Sequence, residues 1–268
     1  MTASRKQRSF EGTAGITGEQ WRPIGSPVRT RSTGRTLAIL AFHKIGEPPP
    51  GSWKTWFYIP EETFAAHLSY LYENGWQVMD VMAFLRGLAA PESLPERAAL
   101  LTFDDGYRSM LHGALPWMVR FRFPAVLFMP TDFIGEYNRF DAECEPREVI
   151  CGWDDLRELQ RWGVSVQSHG ASHRRLSGLD AVEQEQELLR SKATLEAELE
   201  SPVEVFAYPY GDCGDSSQAL AKALKGAGYR AACLYGGGPN HVPIADPYRL
   251  TRLAMGPDTD LHGALGER

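Results

Sequence analysis

Two histidines four residues apart, in Ser168-His-Gly-Ala-Ser-His173, follow the alternating run Val164-Ser-Val-Gln167. At that spacing both imidazoles can aim at one point, and neutral imidazole is a standard zinc ligand. The pair alone is a weak signal, because surface histidines also fall at this spacing by chance. Its force comes from a second segment, Thr102-Phe-Asp-Asp-Gly-Tyr107, where two adjacent carboxylates follow an apolar run. Like charges raise each other's pKa, so this juxtaposition is costly unless something cationic lies beside it. A helix N-cap with a second acid on the helix dipole accounts for one aspartate but not easily for both. Two histidines and Asp105 make a set of three ligands with an open position for water, the composition of a catalytic zinc site.

Two further segments carry candidate chemistry. Leu40-Ala-Phe-His43 places a histidine at the end of an apolar run, either a structural histidine or a general acid. Phe206-Ala-Tyr-Pro-Tyr-Gly211 reads as a rigid turn around Pro209, and its glycine lets backbone approach a ligand closely. Backbone N–H groups near Tyr208 and Tyr210 are therefore candidates to face a developing oxyanion. Trp53, Trp56, Phe57 and Tyr58 follow His43. Trp53 and Trp56 are the better candidates to stack on a sugar ring, and Phe57 to Ile59 read as structural.

Something must hold these segments together. Apolar runs at 36–42, 98–103, 124–129, 164–167, 203–208, 229–234 and 248–253 read as strands. Helical periods fall between them: around Phe64, Leu68 and Leu71 before Gly75, after Gly106, and over 153–162, 182–199 and 216–227. The glutamates of the 182–199 helix read as a solvated face. Strands alternating with helices imply a mainly parallel sheet, and seven or so strands in this length predict a closed or nearly closed α/β barrel. Such barrels carry their chemistry at the carboxyl ends of the strands, where all the candidate residues fall.

Composition narrows the function classes. The net charge is −6; residues 1–36 hold seven basic and two acidic side chains, leaving −11 on the remainder. An acidic body argues against nucleic acid as the main partner. Residues 1–35 read as a flexible basic arm. They lack an apolar h-region, no apolar run is long enough for a transmembrane segment, and the expectation is a cytoplasmic protein. Cys144, Cys151, Cys213 and Cys233 show no CxxC pairing and read as reduced thiols.

Taken in order, these segments resemble the polysaccharide deacetylase family, the NodB-homology domain of carbohydrate esterase family four. Thr102 to Gly106 matches its TFDDG motif, His169 to His173 the spacing of its H-(S/T)-x-x-H motif, and Tyr208 to Gly211 the tail of R-x-P-x-G. The resemblance covers roughly residues 37–255. It implies a single domain over 36–268 folded as a distorted (β/α)7 barrel that removes N-acetyl groups from N-acetylhexosamine units of a poly- or oligosaccharide. The implied substrate is a glycan containing N-acetylglucosamine, and the implied cofactor is one divalent ion, Zn2+ by expectation. Carried over residue by residue, Asp104 is the general base, and Asp105, His169 and His173 are the ligands.

Several positions depart from the family pattern. Ala207 stands where many members have arginine, Gly170 replaces the usual Ser or Thr, and no D-x-x-x-W motif follows Gly211. The usual C-terminal L-x-x-H is absent from its place, with His241 and His262 in poor contexts, and Leu40 to His43 fits it instead. That order resembles the rearranged subgroup of exopolysaccharide de-N-acetylases and assigns His43 as the acid. Two other readings stay open: a metal-dependent amidohydrolase acting on a non-sugar acyl-amide, and a non-catalytic glycan-binding relative. The latter would be expected to lose Asp104 or a ligand, and none is lost.

Overall fold

A computed structural model describes residues 34–214 and 217–266. The expected basic arm lies outside the described residues up to position 33. In chain order the strands are β1 (Thr36–Phe42), β2 (Lys44–Ile45), β3 (Tyr58–Ile59), β4 (Gln77–Val78), β5 (Arg97–Phe103), β6 (Ala125–Met129), β7 (Val164–Ser168), β8 (Val205–Ala207), β9 (Ala231–Cys233), β10 (Asn240–His241) and β11 (Leu253–Ala254). The helices are α1 (Glu61–Glu73), α2 (Val81–Ala89), α3 (Leu115–Phe121), α4 (Trp153–Arg161), α5 (Ala181–Leu199), α6 (Ser217–Gly226) and α7 (Leu261–Ala264).

Continuous apolar runs suit strands covered on both faces, and β1 and β5 are such runs. They pair in parallel over their whole length, from Thr36↔Arg97 to Phe42↔Phe103. The main sheet runs β10-β1-β5-β6-β7-β8-β9, with β11 beside β1 and β4 beside β5. Leu250 bridges Cys233 of β9, and β11 then pairs in parallel with β1. The stretch 250–254 thus joins β9 back to β1, closing a distorted barrel of parallel staves as the strand pattern predicts.

Alternation of side chains along a strand sorts the apolar residues into two clusters. Ala38 and Leu40, Ala99 and Leu101, Ala125 and Leu127, and Val164 and Val166 face outward under α1 and α3 to α6. Leu37 and Ile39, Ala98 and Leu100, Val126 and Phe128, and Val205 and Ala207 fill the interior, together with Phe84 and Leu85 of α2. Carried two residues at a time past the strand ends, the inward rows reach His43, Asp104 and His169. The pleat therefore selects which residues emerge on the inner rim.

Differences from the sequence reading have local causes. Helix α2 goes unread in the sequence, and a glycine, Gly87, stands inside it. A Cβ at Gly87 would lie 2.1 Å from Leu94 Cδ2, so this glycine answers a close contact. The last strand shrinks to Leu253–Ala254 because side chains take over the backbone before it. The Thr251 N–H donates to Asn240 Oδ1 at 3.0 Å, and the Thr251 hydroxyl donates to Gly238 O at 2.8 Å. On α5, Glu187 is buried rather than on a solvated face. All four cysteines are free, and among the described residues no helix is long and apolar enough to cross a membrane.

Candidate active site

Each rim residue continues the strand ladder one step beyond its strand. The Asp104 N–H donates to Phe42 O (3.0 Å), His169 N–H to Met129 O (3.1 Å) and Tyr208 N–H to Cys233 O (3.0 Å). After Asp104 the chain turns left-handed, with φ of 69° at Asp105 and 75° at Gly106. A Cβ at Gly106 would sit 2.2 Å from Met129 Sδ, so the turn that presents Asp105 requires glycine.

Asp105, His169 and His173 are all buried, and their ligating atoms lie within 4.8 Å of one another. Asp105 Oδ1 is 3.4 Å from His169 Nε2 and 3.1 Å from His173 Nε2. Yet Oδ1 has no hydrogen-bond partner of good geometry. An orphaned buried carboxylate oxygen facing two imidazole nitrogens fits a divalent cation. The far side of each ring supports this fit. His169 Nδ1 lies 2.8 Å from Ala207 O, an acceptor only, so Nδ1 carries the proton and Nε2 keeps its lone pair. His173 Nδ1 lies 3.2 Å from the Tyr210 hydroxyl, which donates to Asp141 Oδ1 at 3.1 Å and so accepts from the ring. Burial pushes the Asp105 carboxyl up, but its contacts with His169 and His173 hold it well below the usual range. Burial pushes His169 down, and Asp105 and Asp104 more than offset it, leaving the imidazole above its ordinary value. Nitrogen and carboxylate donors of this number suit zinc.

Asp104 lives differently. Arg252, fully buried, grips it with two parallel bonds, Nη1 to Oδ1 at 2.7 Å and Nη2 to Oδ2 at 2.6 Å. Arg252 also donates to Thr102 Oγ1 (3.2 Å) and Leu234 O (2.7 Å), which fixes its plane. Burial raises the Asp104 carboxyl, but the guanidinium charge outweighs it and keeps the group ionised below its ordinary range. His43 Nε2 stands 4.0 Å from Asp104 Oδ2 and 3.9 Å from Asp105 Oδ2. Burial lowers the His43 pKa, against the pull of both carboxylates.

Arg252 is the cation that the paired aspartates demand, and the sequence reading did not find it. The family pattern directs the search to position 207, where alanine stands. The signal was an arginine inside the apolar run Leu250-Thr-Arg-Leu-Ala-Met255, a place where a charge needs a buried partner.

His43, Asp104, Asp105, His169 and His173 line a cavity of about 150 Å3. It shares Asp141, Cys144, His173 and Tyr210 with a cleft of about 930 Å3 that continues outward past Phe140 and Arg175. Tyr208 and Tyr210 both line the cavity, but Tyr208 is buried and its hydroxyl is committed to Tyr248 O at 3.1 Å. Tyr210 is half exposed, in the left-handed region at φ 58°, with the Arg175 guanidinium 4.3 Å from its ring centre. Phe57, read as structural, instead faces the cavity, its ring centre 4.5 Å from that of His43. Lys44, also unread, is buried against Glu145 in the cavity wall. Trp53 and Trp56 stand exposed outside it; the Trp56 indole N–H donates to Asp258 Oδ1 at 2.8 Å. His241 and His262 lie elsewhere, on β10 and against Tyr70.

Comparison with known proteins bears on this arrangement. The family model described as polysaccharide deacetylase matches residues 92–232. YxkH of Bacillus subtilis (strain 168), named for the same family, is 26% identical over 194 residues, covering 72% of this chain and 62% of its own length. A poly-β-1,6-N-acetyl-D-glucosamine N-deacetylase of Escherichia coli (strain K12) is 31% identical over 97 residues, 35% of this chain and 14% of that protein. The chain thus spans less than two thirds of these relatives. Among solved structures, the fold is similar to Streptococcus pyogenes deacetylase PplD in complex with acetate, with TM-score 0.72, 19% identity and coverage of 84% and 95% of the two chains. It is also similar to IcaB from Ammonifex degensii, with TM-score 0.70, 22% identity and coverage of 84% and 94%.

Proposed function

Because the chain belongs to the polysaccharide deacetylase family, we propose that it removes N-acetyl groups from a glycan containing N-acetylglucosamine, using the rim of the barrel as a metal-dependent hydrolytic site. The observation that carries this reading is the division of labour between adjacent aspartates. Asp105 Oδ1 faces His169 and His173 at 3.4 Å and 3.1 Å, while Asp104 is gripped by Arg252. A divalent ion held by Asp105, His169 and His173, zinc by donor type, would polarise the acetyl carbonyl and make bound water more acidic. Asp104, kept ionised by Arg252, takes the proton of the attacking water. Arg252 aims that carboxylate and is a positioning residue. His43, across from Asp104, hands a proton to the departing sugar nitrogen. The Tyr210 backbone N–H is the candidate donor to the acetyl oxygen as charge develops on it. The small cavity takes the acetamido group, and the wide cleft past Tyr210 takes the rest of the chain.

The E. coli relative's name makes poly-β-1,6-N-acetyl-D-glucosamine the first polymer to test. Purified protein should release acetate from N-acetylglucosamine oligomers of one linkage, lose that activity to a chelator and regain it with Zn2+. Failure to release acetate from any linkage, with metal bound, would sink the substrate assignment. His43→Ala should retain the metal and lose about 10²-fold or more in kcat; an unchanged rate would remove His43 from the mechanism.

A further inference from the structure

The loop that carries both histidines, 169–173, holds two left-handed residues, Gly170 at φ 78° and His173 at φ 58°. A non-glycine residue in that region is strained and persists only where its surroundings over-determine it. One side of the loop is fixed by the segment that follows β6: the Thr131 N–H donates to Gly170 O at 3.2 Å and the Asp132 N–H to Ala171 O at 2.9 Å. The other side meets Glu187, a single residue of α5 and only 7% exposed. Its Oε2 accepts the Ala171 and Ser172 N–H groups, each at 2.8 Å, and its Oε1 accepts the Ser172 hydroxyl at 2.7 Å. One turn further along α5, the buried Ser191 hydroxyl lies 2.7 Å from Ser168 Oγ, which accepts the Gly170 N–H at 3.1 Å.

We propose that Glu187 is the positioning residue of the metal site, clamping the loop so that His169 and His173 converge on Asp105. The inference rests on reading those three residues as the metal site. Gly170 leaves no side chain of its own at the second loop position, and a Cβ there would come within 3.2 Å of Glu187 Oε2. The carboxylate thus occupies the space that a larger residue at 170 would contest, and it satisfies N–H groups that the sharp turn strips of backbone partners. Glu187 acts chiefly through these hydrogen bonds, because its ion-pair partner Arg190 stands 3.8 Å from Oε1 and is committed to Asp132. A glutamine can reproduce the hydrogen bonds: its Oε1 takes both N–H groups, and its amide faces a Ser172 hydroxyl that turns to accept.

The test is competition of apo-protein with a chromophoric chelator for Zn2+, together with the visible spectrum of the Co2+ form. Loss of an outer support of this kind weakens metal affinity by about 10–100-fold. Glu187→Ala should do so and alter the Co2+ spectrum, Ser172→Ala should weaken binding a few-fold, and Glu187→Gln should stay close to wild type. Wild-type affinity in a folded Glu187→Ala protein overturns the proposal, and so does a Glu187→Gln protein as weak as Glu187→Ala. If Glu187→Ala does not fold, Glu187→Asp decides jointly with Ser172→Ala, because aspartate keeps the charge but falls a methylene short of the loop. Unchanged affinity in both then overturns the clamp. A wild-type chain that binds no metal sinks the site reading along with this inference, whereas unchanged variants of a metal-binding chain sink this inference alone.

Discussion

His43 and Asp104 stand where β1 and β5 end, after strands paired at every position from Thr36↔Arg97 to Phe42↔Phe103. His169 and Tyr208 stand where β7 and β8 share the single pair Ser168↔Phe206. The side proposed to handle protons is held by a long ladder and one buried arginine. The side proposed to hold the metal leaves the ladder past Asp104 and His169: Asp105, Gly170, His173 and Tyr210 are all left-handed. There the backbone is fixed by side chains instead, Glu187 on the histidine loop and Gln167 between the strands. A ladder forces its rim residues into place through the pleat alone, while a strained loop needs separate clamps that arrive from elsewhere in the chain.

If that division is real, the two sides should fail differently. The largest effects come from the reacting groups. Asp104→Asn should bind metal as wild type does and lose about 10²–10⁴-fold in turnover, because an amide cannot accept the proton. His169→Ala should lose both metal and turnover. Metal content and acetate release measured on the same preparations check this, and loss of metal in Asp104→Asn would merge the two sides into one. Next comes Arg252. Removing one partner of a buried ion pair costs about 3–5 kcal/mol of stability. Arg252→Met should fall by this order in denaturant titration and lose turnover, yet keep the metal. Pairing it with Asp104→Asn should recover much of the stability and none of the turnover. A stable Arg252→Met protein would show that the guanidinium does not hold Asp104.

This difference also governs what could be read from the residues alone. Strands β1 and β5 are legible because a run such as Thr36-Leu-Ala-Ile-Leu-Ala-Phe42 has one stable use, a stave covered on both faces. Their pleat then carries His43 and Asp104 to the rim. Asp105, His169 and His173 are legible as ligand types at a ligand spacing. Arg252, Glu187 and Gln167 are not, because each acts on a residue far away in sequence, and nothing local marks the partner. Glu187 sits among the solvated glutamates of α5 and differs from them only in which way the helix turns. The aspartate pair did announce that a cation was needed; only the fold says that it comes from 148 residues further along.

The smallest expected effect isolates the strand contact itself. Gln167 is buried at the inner row of β7. Its Oε1 accepts the Glu204 and Val205 N–H groups, both at 2.8 Å, and its Nε2 donates to Pro202 O and Ser165 Oγ, both at 3.0 Å. The side-chain amide thereby does for β8 what backbone pairing does between β1 and β5. Gln167→Ala strands the two N–H groups in the interior, a cost of about 1–3 kcal/mol in stability. The consequence should reach one side of the rim only. Strand β8 carries the Ala207 carbonyl that holds His169 Nδ1 at 2.8 Å, so a loosened β8 lets that ring drift. Metal affinity should therefore fall modestly in Gln167→Ala, while turnover at saturating metal stays near wild type because His43, Asp104 and Arg252 hang from β1, β5 and the 250–254 stretch. Equal losses in affinity and in saturated turnover would mean that the rim behaves as one rigid unit.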